Sequence, residues 1–197
     1  MERILKYMQA QGGYARMKQL KASGAQTRDV RRLCREGELL RVKPGLYRLS
    51  KIPPQEHSAL VEICLAMPKA VICLASALAF HELTTFVPPR VTFAIPISDK
   101  PIGLPSLPNE HFFFSRRVYG AGIEHVHTRS GTFRVYSLEK TLCDVFRFRM
   151  KIGEDLALEA LKEYLGRRNR NLQKLMTFAE LCRVKGILAP YVRALLA

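Results

Sequence analysis

The chain has 197 residues, 48% of them hydrophobic and 25% charged, a balance that supports a buried core and excludes a disordered or fibrous chain. Lys and Arg outnumber Asp and Glu by 32 to 17, and the resulting net charge of +15 fits nucleic-acid or anionic-surface binding. No run of 18 or more apolar residues occurs, and the opening MERILKYMQAQGG mixes charge into an amphipathic pattern unlike a signal peptide, so a soluble, cytoplasmic protein with no membrane partner is expected.

The charge is uneven: residues 1 to 52 hold 13 basic against 4 acidic residues, and the remaining three quarters hold 19 against 13. Within the basic part, Ile4, Leu5 and Met8 recur at helical spacing and Gly12 and Gly13 stop that helix. Tyr14 and Ala15 fit a short strand, and RMKQLKASG a second helix of about two turns ending at Gly24. A turn at residues 23 to 26 leads into a third helix with Thr27 as expected N-cap, Asp29 in its first turn and Gly37 beyond its end. At about 100° per residue, Val30, Leu33 and Cys34 share one side of this helix while Arg28, Arg31, Arg32 and Arg35 occupy an arc opposite. Only Asp29 and Glu36 are available to offset four arginines, which favours a polyanion over an ordinary solvated face.

Leu39 to Lys43 and Leu46 to Leu49 flank Pro44 and Gly45 and predict a hairpin, with Arg41 and Lys43 on one strand face and Leu40 and Val42 on the other. Three helices followed by a basic hairpin have the order of a winged helix-turn-helix, expected over residues 1 to 52. Its DNA-binding residues are then Thr27, Arg28, Arg31, Arg32, Arg35, Arg41 and Lys43, with double-stranded DNA as partner. Pro53 and Pro54 mark the expected boundary, since paired prolines favour a stiff, extended segment.

From residue 56 the pattern predicts a helix ended by Pro68, a short strand over 70 to 73 and a helix over 75 to 83 with His81 as a satisfied histidine near its end. A strand over 90 to 97 precedes a proline-rich surface loop over 98 to 110. Strands over 111 to 115, 123 to 128 and 132 to 136 complete a sheet of four to five strands, expected to be mostly antiparallel. Beyond Ser137 the chain reads as helical, with a stripe of Leu138, Leu142, Val145 and Phe146, then helices over 156 to 165 and 172 to 182, and a last one over 187 to 196 broken near Pro190. Residues 53 to 197 thus predict an α+β domain, and the fold class of the chain is α+β with an N-terminal winged helix-turn-helix.

Lys140, Asp144 and Arg147 are expected on the outer side of the 137 to 147 helix, either as an interaction surface or as a local ion-pair network. The five cysteines, Cys34, Cys64, Cys73, Cys143 and Cys182, include no CxxC pair and read as reduced thiols. His125 and His127 are the one close pair of metal-ligand types, which is too few for a zinc site, so no metal or other cofactor is expected. No Gly-rich phosphate loop, GxSxG elbow, HExxH or kinase signature occurs, and no catalytic residue is assigned. Two alternatives remain beside a DNA-binding repressor: a metal-dependent nuclease or nucleotide-handling activity in residues 53 to 197, and a plain transcriptional regulator whose second domain binds a ligand or another protein.

EGELLRVKPGLYRLS (36 to 50), LASALAFHELT (74 to 84) and SLEKTLCDVFRFRMKIGEDLALEAL (137 to 161) together resemble the AbiEi-type antitoxins of type IV toxin-antitoxin systems. The resemblance implies two domains, of which the winged helix binds operator repeats upstream of its own operon as an autorepressor, bound as a monomer or a homodimer. It also implies that the C-terminal domain opposes a nucleotidyltransferase-like toxin, with Lys140, Asp144 and Arg147 as the candidate antitoxin surface.

Overall fold

The computed structural model describes residues 1–52, 55–104 and 107–196, so Pro53 and Pro54, on which the expected boundary falls, and Pro105 of the expected loop lie outside the described residues. The chain divides into two compact units.

The first unit comprises Met1–Pro68, Ile102–Leu107 and Val126–Phe133. It contains α1 (Glu2–Ala10), β1 (Tyr14–Arg16), α2 (Met17–Ala22), α3 (Thr27–Arg35), β2 (Leu39–Lys43), β3 (Leu46–Leu49) and α4 (Ser58–Ala66). β3 pairs antiparallel with both β1 and β2, giving a three-stranded sheet in the order β1-β3-β2. The three helices and this sheet make the winged helix-turn-helix arrangement, and they close on one core in which Ile4, Met8, Leu20, Val30, Leu33 and Leu39 are buried. The turn after α1 requires glycine for two reasons. Gly13 has φ of 87°, in the left-handed region, and a Cβ there would fall 1.8 Å from Ile52 Cδ1.

Compactness in this unit runs past residue 52, because polar groups of α4 satisfy the winged helix. The Tyr14 hydroxyl donates to Glu62 Oε2 at 3.0 Å, Arg16 Nη2 donates to the Leu65 carbonyl at 2.8 Å, and Lys43 Nζ donates to the Ala66 carbonyl. Glu62 is buried, and a buried carboxylate is tolerated where donors meet it.

The second unit comprises Lys69–Pro101, Pro108–His125 and Arg134–Ala197. Its elements are β4 (Val71–Ile72), α5 (Leu74–Phe80), β5 (Val91–Pro96), β6 (Asn109–Phe114), α6 (Arg116–Tyr119), α7 (Leu138–Arg147), α8 (Arg149–Ile152), α9 (Glu154–Gly166), α10 (Leu172–Leu181) and α11 (Lys185–Leu196), while the hairpin of β7 (Ile123–Thr128) and β8 (Gly131–Tyr136) has its tip in the first unit. The five strands order as β6-β5-β4-β8-β7. The sheet is mixed, which corrects the expectation of a mostly antiparallel one: β4 runs antiparallel to β5, but β5 runs parallel to β6 and β4 parallel to β8. The proline-rich stretch after β5 carries the chain back to the starting end of the sheet, as a parallel neighbour requires of a connection of roughly a dozen residues.

α7 is the centre of this unit, with α5, α9, α10 and α11 all packed against it. Of the predicted stripe, Leu142, Val145 and Phe146 are buried and Leu138 is half-buried, and Cys143 is buried beside them. Lys140 and Asp144 are fully buried as well, against the expectation of an outer face, because neighbours cover α7 on more than one side; Arg147 alone of the three is exposed. α11 also departs from expectation in running unbroken through Pro190. Proline at 190 removes the donor that the Gly186 carbonyl would use, and Gly186 is exposed, so that carbonyl is not sealed in the core. No helix of the described residues is long and apolar enough to cross a membrane.

Candidate nucleic-acid interface

α3 is anchored at its start by Asp29, whose Oδ2 accepts the Gln26 backbone N–H at 3.1 Å. Gln26 is therefore the N-cap and Thr27 the first helical residue, so the cap falls one position earlier than expected. A side-chain acceptor three residues on from the N-cap satisfies an N–H that the helix leaves open, and its charge suits the positive end of the helix dipole. Val30 and Leu33 are buried in the core, and Arg28, Arg31, Arg32 and Arg35 lie on the opposite arc, with Arg31, Arg32 and Arg35 exposed. The Arg28 side chain is largely exposed too, at 79%.

The four arginines are not equivalent. Arg32 Nε bonds Glu36 Oε1 at 2.7 Å across one turn, and Arg28 Nε lies 3.9 Å from Asp29 Oδ1. Arg31 and Arg35 have no ion-pair partner among the described residues. Positive charge is thus least compensated at Arg31 and Arg35.

In the wing, the register of β2 against β3 shifts between Arg41 and Lys43. This bulge corrects the expected simple alternation: Leu39 and Val42 turn inward, whereas Leu40, 41% exposed, and Arg41 turn outward together. Arg41 is close enough to Cys34 of α3 for its charge to oppose the burial that pushes the Cys34 thiol up. Lys43, by contrast, is half-buried and fastened to the Ala66 carbonyl, and burial together with the Arg16 charge lowers its pKa. Arg48 of β3 faces inward to Glu62, with Nε 3.7 Å from Oε2. The outward ridge therefore consists of Arg28, Arg31, Arg32, Arg35 and Arg41.

Two features of this unit escape a reading of the sequence for arginine clusters. Lys18 and Lys21 lie on α2, the helix that precedes the turn into α3, and Lys21 is exposed. The buried cluster of Tyr14, Arg48 and Glu62 holds β1, β3 and α4 together, and burial plus the Glu62 charge push the Tyr14 hydroxyl well up. Its one signal in the sequence is an acid set between Val61 and Ile63 in the otherwise apolar SALVEICLA.

In the second unit Lys140 Nζ donates to Asp144 Oδ2 at 2.5 Å and lies 4.2 Å from the centre of the Tyr136 ring. Buried as they are, these two side chains form an internal ion pair and no surface. His81 caps the end of α5 as a satisfied histidine, its Nε2–H donating to the Tyr136 carbonyl at 2.7 Å. Among the described residues, no group of three or more His, Cys, Asp or Glu side chains is placed to hold a metal ion.

Residues 2–50 match the family model described as "Transcriptional regulator, AbiEi antitoxin". No curated protein matches the chain in sequence. Among solved structures, the fold is similar to that of the RV2827C protein from Mycobacterium tuberculosis, with a TM-score of 0.55 at 15% identity, over 99% of this chain and 80% of that one. At that identity the likeness speaks for the α+β architecture alone. Over residues 2–50, helices and wing included, the chain is thus similar to the AbiEi-type antitoxin transcriptional regulators.

Proposed function

We propose that the protein is a cytoplasmic, DNA-binding autorepressor and the antitoxin of a type IV toxin-antitoxin system, its winged helix reading operator repeats in double-stranded DNA. The observation that carries this reading is the outward arc of Arg28, Arg31, Arg32 and Arg35 on α3, with Arg41 of the wing beside it. In this reading α3 enters the major groove, where an arginine fork pairs with the O6 and N7 edge of guanine. Arg31 and Arg35, least compensated within the protein, are the proposed base readers. Arg28, Arg32 and Arg41 hold phosphates, and the Thr27 hydroxyl at the helix start adds a further phosphate contact. Lys43 supports the wing through Ala66 and contributes to DNA binding only indirectly.

Residues 53 to 197 are proposed to act separately, by protein contact with a nucleotidyltransferase-like toxin and with no catalysis of their own. Of Lys140, Asp144 and Arg147, only Arg147 reaches the surface and is available to such a partner. The test of the DNA-binding reading is a salt titration of affinity for the DNA upstream of the gene. Three arginine–phosphate contacts, from Arg28, Arg32 and Arg41, predict a log–log slope of roughly −3, since each phosphate neutralised contributes about −0.9. A slope near zero would refute the electrostatic reading.

A further inference from the structure

A concave site of about 520 Å³ opens on the second unit, and it is lined by Arg117, Arg147, Arg149 and Arg183 with no Asp or Glu among its lining residues. Arg149 is partly neutralised, with Nε 3.8 Å from Glu154 Oε1. Arg117, Arg147 and Arg183 have no ion-pair partner among the described residues. Guanidinium groups gathered at one cavity with only Glu154 paired to one of them repel one another in the free protein, and the repulsion is relieved by a multiply charged anion. A planar guanidinium fork suits phosphate oxygens in particular.

Arg183 adds an independent observation. α10 ends with the Val184 N–H donating to the Ala179 carbonyl at 2.8 Å and the Arg183 N–H to the Glu180 carbonyl at 3.1 Å, and Arg183 sits at this stop with φ of 60°. That is a left-handed helix-ending position at which glycine is the usual residue. The arginine that occupies this position has its side chain at the cavity. The rest of the lining is Val118, Leu181, Val184 and Ile187, with Ser115 and Cys182. Arginines for the phosphates and apolar side chains for the base match the two halves of a nucleotide, and the volume suits a single small molecule. A duplex is too wide to enter such a cavity and is met by projecting elements instead.

We propose that this four-arginine cleft binds a nucleoside di- or triphosphate, its phosphates held by Arg117, Arg147 and Arg183 and its base against Val118, Val184 and Ile187. The ligand acts at a site apart from the arginine face of α3, so the proposal stands or falls independently of DNA binding. The free nucleotide and the phosphorylated end of a nucleic acid share this chemistry, and the free nucleotide is the occupant proposed.

The experiment measures thermal melting and calorimetric binding of the full chain with ATP, ADP, adenosine, pyrophosphate, a 5′-phosphorylated oligonucleotide and duplex DNA, all at fixed ionic strength. ATP and ADP are expected to bind and raise the melting midpoint; adenosine is not, and pyrophosphate should bind more weakly than ADP. Two variants locate the site. Arg147→Ala should weaken ATP at least about tenfold, as removal of a charge-assisted fork does. Arg183→Gly should weaken it similarly while raising the melting midpoint of the ligand-free protein, because glycine relieves the left-handed backbone. Both should leave the affinity for upstream duplex DNA unchanged. The proposal is overturned if neither nucleotide binds, if ATP binding survives both substitutions, or if the phosphorylated oligonucleotide or duplex depends on these arginines and ATP does not.

Discussion

Lys140 and Asp144 stand one turn apart on α7, bonded at 2.5 Å, and neither side chain reaches solvent. Asp144 Oδ1 lies 3.6 Å from the Cys182 thiol on the other side, and the Lys140 ammonium sits over the Tyr136 and Phe114 rings. Removing one charge strands the other in the core. Lys140→Met or Asp144→Leu alone should therefore destabilise the protein by about 3–5 kcal/mol, whereas the double substitution should recover much of the loss. Urea denaturation of the four proteins gives the coupling directly, and additive losses would show that the pair does not act as a unit.

Tyr14→Phe tests the seam between the winged helix and α4. The substitution removes the donor that reaches Glu62 at 3.0 Å and keeps the ring in place. A buried carboxylate deprived of a hydrogen bond should cost about 1–3 kcal/mol of stability. An unchanged denaturation midpoint would mean that Arg48 or water satisfies Glu62 without Tyr14.

His81 gives a pH dependence with a defined sign. Burial lowers its pKa below the ordinary 6.5, and the neutral ring donates to Tyr136 through Nε2–H. Below 6.5 the unfolded chain binds a proton that the folded chain resists, so the protein loses stability as pH falls from 6.5 toward the lowered value and is insensitive to this group above 6.5. Denaturation at pH 7 and pH 5 should show this loss, and His81→Gln should reduce it. An equal loss in the variant would assign the effect to another group.

The sequence carried the first unit further than the second. Alternation of apolar and basic residues placed Val30 and Leu33 inward and the four arginines outward, because a helix on the edge of a small domain has one covered face. The same reasoning failed at Lys140 and Asp144. α7 is enclosed by several helices, and i,i+4 spacing looks identical whether a pair faces water or is neutralised inside the core. The wing shows a subtler limit, since a bulge at Arg41 to Lys43 shifts which residues face out without altering the hairpin's composition. Strand direction in the second sheet was also hidden, because it depends on where the loop after β5 returns the chain, and no local periodicity records that.

The wing offers a contrast between two neighbouring cations. Arg41→Ala should weaken binding to operator and scrambled duplexes alike, the mark of a phosphate contact. Lys43→Ala should change DNA affinity little and instead lower stability by about 1 kcal/mol, because the Ala66 carbonyl is left without its donor. Equal reductions of DNA affinity at both positions would mean that Lys43 leaves Ala66 to bind phosphate.

The most direct test is the affinity of the variant carrying Arg28→Ala, Arg31→Ala and Arg35→Ala for the DNA upstream of its own gene. All three side chains point away from the core, and alanine is the best helix former, so α3 and its buried Val30 and Leu33 should persist and the melting midpoint should hold or rise. Binding to the upstream DNA should weaken by at least about 1 kcal/mol for each arginine removed. Arg32→Ala alone, already paired to Glu36, should weaken it less than Arg31→Ala or Arg35→Ala. A folded triple variant that binds this DNA as tightly as the original protein would contradict the assignment of α3 as the DNA-reading helix.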